Sequence, residues 1–406
     1  MKLSDWTRFL WLPLVLIAML APASAQRDKL PKTDPGNCPY CHNDPEILAK
    51  SKLVAHGGFQ VARGTIEDAM KNLPGAEIYW LETEHFEIGY GLGPYKVRQD
   101  EKEKIRAECA ELALVLENIP EKPKILDPWL RLHLTAMRLE KIYANMLDFF
   151  EVKQEWFPAA GTVWNQTGEY WGEGPYMGQK SKLEVMILPS EGLHQRWLRG
   201  NFGLLTKNTQ RWHVIDTGAL HLTIHEEQGS LSIDSAMHGH LAFNVSIMLC
   251  NSLRHYSYDM PIWLLEGIGH YMERQVCPKY NTFDSGEGGI AETNRKENWE
   301  PDVKKFVAKG EASSLGAMVR MTAWSELTLE RHMTAWSMID YLQKAHPGFL
   351  ATLLKRTSDL RSEQNIPDGT NLLECHRDVF KEVLGMNYLQ FDRAWAEWVT
   401  ANYASK

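Results

Sequence analysis

The chain has 406 residues and a formal net charge of −8, with no basic run, so it offers nothing for a polyanion such as nucleic acid or an anionic membrane surface to bind. A hydrophobic content of 44% with 24% charged residues is that of a folded globular protein, not a disordered or membrane-embedded one. Six cysteines are too few for a disulfide framework in a chain of this length.

The first 25 residues read as a secretory signal peptide. Lys2 and Arg8 supply positive charge, Phe9 to Leu20 is apolar apart from Pro13, and Ala23-Ser24-Ala25 offers a cleavage site before Gln26. An apolar run of about 12 residues is short of the ~20 needed to span a bilayer, and no later segment is long enough. The expected location is therefore periplasmic or extracellular, with no membrane span after cleavage.

Residues 26–60 read as a leader carrying Cys38-Pro39-Tyr40-Cys41-His42. Cys-x-x-Cys-His is the attachment signature of c-type haem. Cys-Pro-x-Cys is also a redox motif, but Asp34-Pro35-Gly36-Asn37 before it is no strand. A third reading is a zinc knuckle of Cys38 and Cys41 with His42 or His56, and a fourth is a local disulfide.

The remainder, 61–406, reads as one α+β unit: a mixed N-terminal half with a small sheet to about 230, then a helical half from about 231. Glu84 to Tyr90 alternates like a strand. Residues 99–118 read as a helix, and 128–150 as a longer one with Asp127 as N-cap and Pro128 in the first turn. Residues 151–182 read as an irregular loop whose Trp164, Tyr170, Trp171 and Tyr176 pack it onto the core. A strand at 183–188, a helix near 190–200 and one or two strands in 211–227 follow. Helices are expected at 235–252 and 261–275, a loop at 278–300, then helices at 328–345, 347–358, 371–384 and 388–402. Cys250 and Cys277 flank the second of these helices as a candidate disulfide.

The stretch from Met237 to Glu273 carries the chemistry. It holds His238-x-His240 with Asn244, and then Pro261-x-Trp263-Leu264-x-Glu266-Gly267-x-Gly269-His270-Tyr271-x-Glu273. Glu266 and His270 are four apart and share a helix face, as do His240 and Asn244. Two antiparallel helices bringing His240, Glu266 and His270 together would give an N/O set suited to zinc with room for water. His238 lies about 200° round the helix from His240, so it joins only if the helix begins between them.

The segment Pro261–Glu273 resembles the P-x-W-L-x-E-G-x-A-x-Y-x-E helix of the peptidase-MA-like gluzincins. The likeness runs more weakly over 80–402, from His85-Phe86 to Trp336–Leu342, Phe349, Phe380, Phe391, Trp395 and Trp398. The chain is also similar to exported bacterial proteins that carry a Cys-Pro-x-Cys segment and an RHYSYD-x-P-x-W stretch. The resemblance implies that Glu266 is the third zinc ligand after an H-E-x-x-H helix, and that the substrate is a peptide or another extracytoplasmic polymer. This chain departs from the motif. With His240 as the first His, Leu241 stands at the catalytic Glu and Asn244 at the second His. His270 could replace the lost ligand, and Asp234, Glu226 or Glu273 the lost base. His225-Glu226 is only half of an H-E-x-x-H, with Gly229 in the second His position. Two functions are therefore expected to compete: a zinc-dependent hydrolase with a degenerate motif, and a non-catalytic binding or scaffold protein on the same fold. A haem c protein through Cys38, Cys41 and His42 is the third.

Overall fold

The computed structural model describes residues 33–165, 167–284, 289–291, 296–362 and 366–405. The expected signal peptide, 1–25, lies outside the described residues, as do the first residues of the leader and parts of the expected 278–300 loop. No helix among the described residues is long and apolar enough to cross a membrane.

Six strands form one mixed sheet: β1 (Leu53–Ala55), β2 (Tyr79–Thr83), β3 (Phe86–Tyr90), β4 (Leu183–Leu188), β5 (Gln210–Val214) and β6 (Ala219–His225), in the order β1-β2-β3-β4-β6-β5. β3, β4 and β6 run parallel, with Phe86 and Leu220 both opposite Leu183; the outer pairings are antiparallel. Every residue of β4 and β6 is buried, because helices cover both faces of the sheet. The leader is part of this unit. β1 is the sheet's edge strand, and Cys38, Tyr40, Cys41 and Leu48 belong to the main core.

Helices dominate the rest: α1 (Lys102–Leu112), α2 (Pro128–Phe150), α3 (Glu191–Phe202), α4 (Asp234–Ser252), α5 (Ile262–Val276), α6 (Glu300–Lys309), α7 (Leu329–Ala345), α8 (Phe349–Ser358), α9 (Leu372–Val383) and α10 (Tyr388–Asn402). The fold is thus α+β, with the helices mostly in the C-terminal half. α2 starts where the sequence predicts it, with the Asp127 carboxylate accepting from Leu130 N and Pro128 at the first position. It lies between β2–β3 on one side and α4 and α8 on the other. The expected 278–300 loop contains two short paired strands, Thr282–Asp284 and Gly289–Ala291.

α4 is the central helix. All but Ser235 and Asn251 of its 19 residues are buried, so it has no solvent face. Its N-terminus is fixed by charge: Arg138 on α2 donates to Asp234 at 2.9 and 2.7 Å and to Glu108 on α1 at 3.1 and 2.6 Å. Burial would raise the Asp234 carboxyl, but the Arg138 guanidinium overrides it and holds it below the usual carboxylate range.

α5 is squeezed between α4 and α7, and two glycines make this possible. A Cβ on Gly269 would lie 2.9 Å from the Phe243 ring of α4, and one on Gly267 would lie 2.7 Å from Ile339 and 2.8 Å from the Ala335 carbonyl of α7. The Glu-Gly-x-Gly-His run therefore does two things. It places two side chains of metal-ligating type on α5 and lets both neighbouring helices approach them.

Candidate metal centre

On α5, Glu266, His270 and Glu273 follow one another at helical spacing and are all buried. The close α5–α7 packing brings in His332 from the first turn of α7. Glu266 Oε1 lies 3.1 Å from His270 Nε2 and 2.6 Å from His332 Nδ1, and the two imidazole nitrogens are 3.2 Å apart. Ligand atoms around a tetrahedral metal at about 2.1 Å are about 3.4 Å from one another, so this triangle is close to a ligand set and slightly contracted. Rings of Phe243, Phe283 and Trp299 surround His270 with centroids 5.1, 5.6 and 4.9 Å away, which keeps the centre dry and its charges strongly coupled.

Proton accounting sharpens the picture. His270 Nδ1 is 3.2 Å from Glu273 Oε2, and Glu273 Oε1 accepts from the Thr282 amide at 2.7 Å. Burial raises the Glu273 pKa, against the hydrogen bonds from His270 and Thr282 that favour its ionised form. With Glu273 ionised, His270 Nδ1 donates to it, and the Nε2 that faces the Glu266 carboxylate is matched by a second ring proton or by a cation between the three atoms. Burial disfavours the imidazolium, but hydrogen bonds to Glu266 and Glu273 outweigh it and raise the His270 pKa. Burial likewise opposes ionisation of Glu266, and His332 and His270 hold it well below the usual range. A carboxylate holding the far nitrogen of a metal-ligating His is the usual second contact of such sites.

The expected set of His240, Glu266, His270 and His238 is therefore regrouped. Glu266 and His270 meet, His332 joins them, and both α4 histidines face elsewhere. His240 has its two nitrogens 2.7 Å from Thr209 Oγ1 and 2.9 Å from Thr282 Oγ1, and burial pushes its pKa down to about 3, so it is neutral. His238 faces α1, its Nδ1 3.9 Å from Glu108, and burial beside Arg138 keeps it neutral as well. The rotation expected between the two histidines has separated them. Leu241 is in the core at 1% exposure, and Asn244 accepts from Arg211 on β5 at 2.8 Å.

None of the candidate bases stands free beside the cluster. Asp234 is held by Arg138, and Glu273 by His270 and Thr282. Glu226 lies 3.9 Å from Arg131 at the end of β6. His225 Nε2 donates to the Lys207 carbonyl at 2.8 Å, which leaves the His225-Glu226 pair outside the centre.

A second group involves the N-terminal turn and α2. Cys38 Sγ is 3.1 Å from His133 Nε2, Cys41 Sγ is 3.0 Å from His56 Nε2, and the ligand atoms of Cys38, Cys41 and His133 all fall within 4.8 Å of one another. His42 is not among them. It turns outward, 3.7 Å from Glu117, so the residue a c-type haem would take as axial ligand points away from both thiols. Cys250 and Cys277 are free and cannot pair. Gly239, whose Cβ would meet Cys277 at 3.6 Å, precedes Cys250 by 11 residues of helix, or about 16 Å.

A cleft of about 820 Å³ runs beside β5, the last strand in the sheet order, lined by Arg211, His213, Tyr256, Tyr258 and Trp324 among others. His213 stacks on Tyr256 at 4.2 Å, with its Nδ1 2.8 Å from the Tyr258 hydroxyl. Leu265, next to Glu266, also lines the cleft, so the first turn of α5 separates it from the buried cluster. The loop aromatics expected to pack do so against arginines, with Trp171 4.1 Å from Arg254 and Tyr170 3.5 Å from Arg361.

No protein-family model matches the chain, and no curated protein or solved structure gives a significant match to it.

Proposed function

We propose that the protein is an exported, zinc-holding protein of metallopeptidase-like build whose cleft binds an extended peptide or similar polymer without hydrolysing it. One observation carries this reading. The positions at which a zinc peptidase of the H-E-x-x-H type activates water are closed by protein partners: threonines on His240, core packing on Leu241 and Arg211 on Asn244. Glu266 Oε1, His270 Nε2 and His332 Nδ1 would hold the metal, with Glu273 orienting His270. Zinc there would supply a positive charge that fastens α5 to α7. All three ligands are buried, each under 5% exposed, and none of them lines the cleft, which keeps a substrate in the cleft away from the fourth coordination position.

The cleft suits a polymer chain. It is far larger than one amino acid needs, and its aromatic and arginine side chains can cover apolar and acidic groups alike. The test is metal analysis of the purified protein, followed by incubation with unfolded protein and peptide libraries. Bound zinc with no chelator-sensitive peptide cleavage is expected. Zinc-dependent cleavage would overturn the non-hydrolytic reading, and a protein that binds no zinc would overturn the metal centre.

A further inference from the structure

The Cys38–Cys41 segment is not absorbed by that function, and its surroundings ask for a separate explanation. Three donors, Cys38, Cys41 and His133, converge there, and a fourth, His56, lies 3.0 Å from Cys41. Cys38 and Cys41 come from a turn, His56 follows β1, and His133 sits on the second turn of α2, 95 residues from Cys38. The turn itself is bent to receive a charge on sulfur. His42 and Asn43 adopt left-handed backbone, with φ of 52° and 54°, which folds the chain back over the sulfurs. The Tyr40 amide donates to Cys38 Sγ at 3.5 Å, and the Asn43 amide donates to Cys41 Sγ. Amides two residues beyond each cysteine thus aim at both sulfurs, an arrangement that favours thiolate.

His56 rests on α2. His56 stacks on Trp129 of α2 at 4.7 Å, and the Trp129 indole donates to the Asp34 carbonyl at 2.9 Å. Tyr40 donates to Asp127, the N-cap of α2, so the turn and the helix start are already tied together. Cys38, Cys41 and His133 are buried, and His56 is half-buried, with freedom to turn towards the group.

We propose that Cys38, Cys41, His56 and His133 form a closed tetrahedral Cys2His2 zinc site that pins the N-terminal turn and β1 to α2. Two thiolates two residues apart with two imidazoles are a structural zinc set with no coordination position left for substrate. The observed S···N separations of 3.1 and 3.0 Å are a few tenths of an ångström short of the ~3.6 Å expected round zinc, and His56, beside Cys41 but outside the mutual 4.8 Å of the other three donors, turns in to complete the set. A redox role fits less well, since both sulfurs are buried behind Tyr40 and Trp129 and no open face is left for a partner disulfide.

Cobalt substitution separates this site from the Glu266 centre, which has no sulfur. Zinc is removed from the purified protein and Co²⁺ added under anaerobic, reducing conditions. The expected spectrum has a near-ultraviolet thiolate-to-cobalt band with tetrahedral visible bands, and the thiolate band is lost in Cys41→Ser and in His133→Ala. The same two variants should each lose one zinc per chain and keep any zinc held at Glu266. If these variants fail to fold, the wild-type protein suffices. Its Cys38 and Cys41 should resist alkylation until a chelator is added, then react together. A Cys38–Cys41 disulfide in native protein, a haem absorption band, or a cobalt spectrum without the thiolate band would each overturn the proposal.

Discussion

Gly267→Ala tests whether helix spacing assembles the buried centre. The new Cβ would sit 2.8 Å from the Ala335 carbonyl and 2.7 Å from Ile339 Cγ1. Backbone cannot swing aside as a side-chain tip can, so α7 must withdraw by about 0.6 Å to restore ordinary contact. Metal–ligand distances tolerate about 0.2 Å. His332 begins three residues before Ala335 and must move with it, which takes its Nδ1 out of reach of an ion on Glu266 and His270. Overpacking costs about 1–3 kcal/mol, and the gain in helix propensity from glycine to alanine returns about 1 kcal/mol. The net expectation is a modest loss of stability with a disproportionate loss of zinc affinity, on the order of 10–100-fold. Gly239→Ala is the control. Its Cβ would meet Glu273 at 3.5 Å and Cys277 at 3.6 Å, ordinary contacts, so the propensity gain of up to about 1 kcal/mol should appear undiminished. Urea unfolding gives the stabilities and competition with a chromophoric chelator gives the affinities. Equal stability and equal zinc affinity in the two variants would refute the idea that α5–α7 spacing positions His332.

Three further outcomes are expected. His332→Ala should abolish zinc binding at the Glu266 centre while His240→Ala leaves it, and the reverse result in metal titration would restore His240 as the ligand. Leu241→Glu, which puts a Glu after His240 as in H-E-x-x-H, should give no peptidase. It should instead destabilise the fold by roughly 3–5 kcal/mol in denaturant titrations, because the carboxylate enters a sealed core without a partner. Stability should fall on acidification below about pH 6.5. Burial holds His194 and His255 at about 4 and His240 and His376 at about 3, so the unfolded chain takes up protons that the fold refuses. The stabilisation is full above the unfolded imidazole value and is lost as pH falls towards these folded values. Glu87 acts in the opposite sense, because burial raises it to about 8 and its contribution is lost as pH rises through that value. His238 is lowered in the same sense as these histidines, while Glu226, Asp359 and Asp392 are raised by burial and act with Glu87, and the histidines outnumber them in strongly shifted groups, so the net sign between about pH 6 and 4.5 is a loss of stability. Thermal unfolding followed across that range would contradict this if the midpoint stayed level or rose on acidification.

Much of the fold is legible because its signals are local. Asp127-Pro128 marks the start of α2, the apolar run 183–188 is β4, and α4, α5 and α10 lie within a residue or so of their expected bounds. β2 escapes detection although Tyr79 to Thr83 alternates, because its partner strand follows after only Glu84 and His85 and a single strand at 84–90 accounts for the same pattern. α6 is equally hidden behind a Gly- and Asn-rich stretch, with Pro301 at its start the only local mark. The centres divide in the same way. Glu266 and His270 are visible because one helix turn joins them, and Cys38 and Cys41 because one tight turn does. His332 lies 62 residues from His270, and His133 lies 95 from Cys38. Each is a single histidine on an amphipathic helix. Only the glycine-permitted approach of α7 and the docking of the turn on α2 make ligand candidates of them.

The unbroken burial of α4 has a consequence for how the chain finds its fold. An apolar helix inside an apolar core can turn or slide with little loss, since one methyl replaces another. α4 cannot, because its polar side chains fit like the teeth of a key. Asp234 meets Arg138, His240 meets two threonines, and Asn244 meets Arg211, each on a different element of the protein. A slip of one residue rotates the helix by about 100° and strands all of them at once in a medium without water. These buried polar side chains thereby index the helix, and the sheet, α2 and the Thr282 strand are aligned against it in a single register.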